Sequence, residues 1–112
     1  SSPAVRAKET ALIIADLLGY PAERIVLEPS IYMAGIDQIM NLIYGVGPEV
    51  KELMIFGHNP GFTHLVNELA DRGLDWLPTS GVARVDFDAE DWYEIPSAPR
   101  KTRFIVYPKM LK

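Results

Sequence analysis

The chain has 112 residues, 48% of them hydrophobic and 23% charged, a balance that suits one globular domain and excludes a disordered or low-complexity chain. With 11 Lys and Arg against 15 Asp and Glu, the net charge is −4, a poor match to nucleic acid. The lack of cysteine excludes a disulfide framework, thiol catalysis and a thiolate zinc site; no apolar run reaches the roughly 18 residues that a membrane helix needs.

In chain order, Ser2 reads as a helix N-cap and Pro3 as the first helical residue, which predicts a helix over residues 3–18 ended by Gly19. Ile13, Ile14, Leu17 and Leu18 crowd its C-terminal end, so that end is expected to be the more buried. Residues 24–27 are a short strand candidate. Ile36, Ile39, Met40 and Ile43 recur at helical spacing and predict a second helix over about residues 35–44, with these side chains, Met40 included, in the core. Residues 53–56 form a continuous apolar run, as in parallel strands covered on both faces. A third helix follows, with Phe62, Leu65, Val66 and Leu69 on one face.

Residues 82–88 then alternate. Ala83, Val85 and Phe87 point one way and Arg84, Asp86 and Asp88 the other, which predicts a strand with one wet face. Residues 104–107 are a last strand, expected to pair with it as a hairpin. This order predicts an α/β sandwich with a mostly parallel sheet and an antiparallel strand at its edge.

The most informative segment is Gly57-His58-Asn59-Pro60-Gly61. An apolar strand ends there and a helix begins. Ligands of open α/β sheets bind beyond the carboxyl ends of the strands, and helix N-termini favour anions. His58 is therefore a candidate donor to a phosphate oxygen, against the plainer reading of a residue that closes a turn. Arg6 is a second candidate: its planar fork matches phosphate oxygens, although an arginine on a helix surface is ordinarily only solvated.

Ser2-Pro3-Ala4-Val5-Arg6-Ala7-Lys8-Glu9-Thr10-Ala11 resembles the Ser-Pro-x-x-Arg-Ala-x-x-Thr-Ala pattern of the histidine phosphatase superfamily. Gly57-His58-Asn59-Pro60 resembles that family's second histidine motif, as found in the SixA-type phosphohistidine phosphatase branch. Leu27-Glu28-Pro29-Ser30-Ile31-Tyr32 and Pro78-Thr79-Ser80-Gly81-Val82-Ala83 resemble further segments of the same branch, and all fall in the family's order. The resemblance implies a three-layer α/β/α sandwich of the phosphoglycerate mutase-like kind. It also implies a metal-free, cofactor-free phosphatase whose nucleophilic histidine becomes phosphorylated.

Carried over, Arg6 would clamp non-bridging oxygens and His58 would donate to an equatorial oxygen in a loose transition state. Glu28 sits where related enzymes often place their acid, with a plain surface glutamate as the alternative. Ser80 and the N–H groups near Gly81 would hold a phosphate oxygen or the substrate, with a simple turn as the alternative. The family's Arg-His-Gly motif, which carries the nucleophile, is absent from this sequence. His64 falls beside the apolar stripe of its helix and reads as a boundary residue rather than a substitute.

The 112 residues thus read as a single histidine-phosphatase-like domain lacking its N-terminal strand and helix, and inactive alone. Without that central strand, parallel strands would be left unpartnered. Either the missing segment exists elsewhere in the protein or the chain compensates by self-association. The expected substrate is phosphohistidine on a protein, because little sequence between Tyr32 and the second helix remains for a substrate cap. The alternatives are a non-catalytic phosphate- or partner-binding module and a small-molecule phosphomonoesterase. The lack of cysteine and of a visible signal peptide suggests the cytoplasm.

Overall fold

The computed structural model describes residues 1–78 and 81–107, and its first helix, α1, spans Val5–Leu18 rather than residues 3–18. Ser2 is not its N-cap. Ala4 takes that place without a side-chain cap, and the Ser2 hydroxyl accepts the Ala4 N–H at 3.3 Å. The helix starts late because the backbone before it is bonded sideways. Ser1 O accepts from Glu28 N at 2.8 Å, and Ser2 N donates to Phe56 O at 2.9 Å. The other end is as predicted. Gly19 takes a positive φ of 71°, which directs Gly19 N to Asp16 O and Tyr20 N to Ala15 O.

The buried side of α1 differs from the expected one. Ala7, Ala11 and Ala15 face inward, whereas Ile13, Leu17 and Leu18 are 61%, 75% and 66% exposed. The small side chains repeat every four residues and form one stripe, while the large ones are scattered around the helix.

Helix α2 spans Ile36–Tyr44, and its Gln38 Oε1 accepts from Gly35 N at 2.8 Å, tying down the first turn. Helix α3 spans Gly61–Leu69. The predicted apolar faces meet: Ile39, Met40 and Ile43 of α2 and Leu65 of α3 form the core with Ile95, and Phe62, Leu69, Ile55, Phe87 and Trp92 pack around it. Strands β1, Val82–Phe87, and β2, Arg100–Val106, form the expected antiparallel hairpin, with an irregularity between Arg84 and Val85. Arg100 docks the hairpin on α3. Its guanidinium donates to Glu68 O and Leu69 O at the helix end and to Ile95 O and Pro96 O.

The sandwich expectation is overturned. Among the described residues the sheet is two-stranded and antiparallel; neither a parallel sheet nor a three-layer α/β/α arrangement is present. Residues 24–27 run from a short 3₁₀ turn, Ala22–Arg24, into extended chain at Ile25, and residues 53–56 form neither helix nor ladder. Parallel pairing is stable when both faces of a strand are covered. Here Val26 and Met54 are 71% and 54% exposed, and apart from local turn bonds the segments meet other chain only through isolated backbone bonds to Ser1 or Ser2 among the described residues. No helix among the described residues is long and apolar enough to cross a membrane.

Candidate functional site

Four separate segments meet around His58. Its Nε2 lies 2.7 Å from the Oγ of Ser2, 56 residues away in sequence. Ser1 in turn bonds the 26–28 segment, with Ser1 N on Val26 O and Glu28 N on Ser1 O, both at 2.8 Å. Tyr32, a turn further on, presents its ring to the imidazole nearly at right angles, with centroids 5.5 Å apart. Asn59 Nδ2 donates to Leu77 O at 2.8 Å and fixes the fourth segment.

Several residues of the Gly57–Gly61 motif have structural duties. A Cβ on Gly57 would collide with the Phe62 ring and lie 2.9 Å from Ile31, and one on Gly61 would collide with the Ala34 carbonyl. Asn59 Oδ1 accepts from Thr63 N at 3.0 Å and from Thr63 Oγ1 at 2.7 Å, while that hydroxyl oxygen accepts from Leu77 N at 2.9 Å. Thr63 is 3% exposed, so this knot is internal. The knot also changes the expected anion cradle at the helix start. Phe62 N is already spent on His58 O and Thr63 N on Asn59 Oδ1. Of the non-proline N–H groups in this first turn only that of Gly61 has no acceptor among the described residues, so an anion here would rely mainly on side chains.

His58 borders a pocket of about 200 Å³ with Met33, Ala34, Gly35, Asn59, Pro60, Gly61 and His64. Both histidines of the chain therefore face one pocket. The sequence places His64 at a boundary and gives no sign of this meeting, because it depends on how the loop at residues 33–35 folds back over the start of α3. Met33 holds that loop in a left-handed conformation, φ 57°. The pocket lining contains no acidic side chain and no Lys or Arg.

The other sequence candidates are placed unequally. Arg6 is exposed in the first turn of α1, and within the described residues its guanidinium makes no hydrogen bond or ion pair. Glu28 is half-buried, and its Oε1 accepts from Ser30 Oγ at 2.9 Å. Ser80 lies outside the described residues. Gly81 N donates to Pro78 O at 2.8 Å, so this N–H is engaged within the chain rather than offered to a ligand.

Nothing local to Ser2 signals it as a partner of His58; its cap-like position suggests a local duty instead. Comparison with protein-family models, curated proteins and solved structures returned no match.

Proposed function

We propose that the chain carries part of a phosphohistidine-phosphatase site, in which His58 and Arg6 hold phosphoryl oxygens and the substrate is phosphohistidine on a protein. The nucleophile is a histidine that this sequence does not contain. Its nitrogen bonds phosphorus as the substrate's N–P bond breaks, and water then releases phosphate from the phosphoenzyme. The transition state is loose, so the protein's task is to place donors around the equatorial oxygens.

The observation that supports this reading is the convergence at His58 of the segments carrying the sequence resemblance: Ser2, Glu28 and Tyr32, Asn59, and Leu77 before the Pro78 turn. Arg6 lies four residues after Ser2, in the first turn of α1. The pocket that His58 borders has neither Lys nor Arg in its lining, Arg6 included, which suits an imidazole leaving group better than a polyanionic metabolite.

The test uses the protein as expressed from its own gene, incubated with a phosphohistidine protein and assayed for an acid-labile phosphoenzyme. His58→Ala is expected to lower turnover about 100-fold, the scale of a lost oxyanion donor, on the order of 3 kcal/mol. Unchanged turnover removes His58 from the mechanism. The 112 residues alone are expected to release no phosphate, and turnover by them would place the nucleophile within this chain.

A further inference from the structure

Ser2 is 0% exposed, yet it carries a hydroxyl. A serine hydroxyl has one proton and two lone pairs, and a buried one that lacks an acceptor for its proton costs about 1–3 kcal/mol. Two groups address Ser2 Oγ: the Ala4 N–H at 3.3 Å and His58 Nε2 at 2.7 Å. The amide can only donate, so it occupies one lone pair. Among the described residues His58 Nε2 is the acceptor left for the hydroxyl proton. Were Nε2 to carry a proton instead, it would donate to Oγ and leave the serine proton buried without a partner. Hydrogen-bond satisfaction therefore requires Ser2 O–H to donate to Nε2, which places the proton of the neutral imidazole on Nδ1.

The rest of the surroundings agree. The Tyr32 ring packs edge-on against the imidazole and restricts its rotation. Nδ1 has no hydrogen-bond partner among the described residues, and His58 borders the 200 Å³ pocket.

We propose that Ser2 is the positioning residue of this site: its buried hydroxyl grips Nε2, fixes neutral His58 as the Nδ1–H tautomer, and makes Nδ1 the nitrogen that donates to an anion. The grip crosses 56 residues of sequence and joins the start of α1 to the start of α3. It also gives Ser2 a reason to be a hydroxyl residue that helix capping does not supply, since α1 begins later. The identity of the anion rests on the phosphate reading; the tautomer does not.

The experiment is a long-range ¹H–¹⁵N correlation spectrum of the chain at a pH where the rings are neutral. There are only two histidines, and His64→Gln assigns them. His58 is expected to show a protonated Nδ1 and an acceptor-type Nε2. A neutral His58 protonated on Nε2 overturns the proposal, and this reading needs no variant at Ser2. Ser2→Ala is expected to shift His58 towards the Nε2–H form; an unchanged tautomer in a folded Ser2→Ala protein also overturns it.

Inorganic phosphate is then titrated into the wild-type chain. Movement of the Nδ1–H resonance supports the anion half. The Nδ1–H tautomer without any response to phosphate keeps Ser2 as the positioning residue but overturns Nδ1 as a phosphate donor.

Discussion

Helices α1 and α2 are both rich in large apolar residues and use them in opposite ways. On α2, Ile39, Met40 and Ile43 lie on one face and are buried at 1%, 7% and 3% exposure. On α1, Ile13 and Leu17 lie one turn apart on a face that stays exposed, Val5 is exposed as well, and the alanines do the packing. An apolar face unbroken along the helix, rather than apolar content, goes with burial: the face of Ile13 and Leu17 continues into Thr10 and Arg6, whereas Ala7, Ala11 and Ala15 form an uninterrupted stripe. The candidate site joins the start of α1 to the helix that packs on α2: Ser2 stands before α1, and His58 stands before α3.

That contrast can be broken by experiment. The largest effect is expected from Ile39→Ala, which empties a fully buried position and should cost about 3 kcal/mol in chemical denaturation. A loss under 1 kcal/mol would mean that the α2–α3 core is not the stabilising region. Asn59→Ala comes next, at about 2 kcal/mol, since it removes the cap of Thr63 N and the donor to Leu77 O. A silent Asn59→Ala would show that the knot beneath His58 is not under load.

Leu17→Ala is expected to change stability by no more than about 0.5 kcal/mol, in keeping with a side chain 75% exposed. A larger loss would reveal a partner surface for α1 and erase the contrast.

The smallest effect concerns the hairpin. Asp86 accepts from Arg84 Nε at 3.0 Å and from Arg103 Nε at 2.6 Å, and these bonds, with the two positive charges, hold its carboxyl below the usual range. A depressed carboxylate stabilises the fold above its unfolded pKa and loses that contribution as pH falls through the folded value. Acid titration followed by NMR should therefore show Asp86 protonating late, with slight loosening of β1 and β2 only in that acidic range. In Asp86→Asn the acid dependence should vanish; its persistence would assign it to another group.

Much of the molecule was legible in the chain itself. The 3.6-residue spacing of Ile36, Ile39, Met40 and Ile43 determined α2 and its buried face, Gly19 determined where α1 ends, and the alternation after Val82 determined a strand with one wet face. In each case nearest neighbours in sequence carry the physics. The start of a helix after the His58 segment was legible too, although the strand expected before it does not form.

Tertiary structure decided the rest. Residues 53–56 have the composition of a covered parallel strand, but a strand is made by its neighbours, and here they supply isolated bonds in place of a ladder. Ile13 and Leu17 look like core residues, yet burial requires a surface to pack against, and α1 packs through its alanines. Ser2 looks like a cap, but its hydroxyl reaches His58, because the start of α1 is drawn sideways against Phe56 and Glu28. The sequence determined which groups are capable of chemistry; long-range packing decided which of them meet, since contacts across 56 residues depend on every element folded between them.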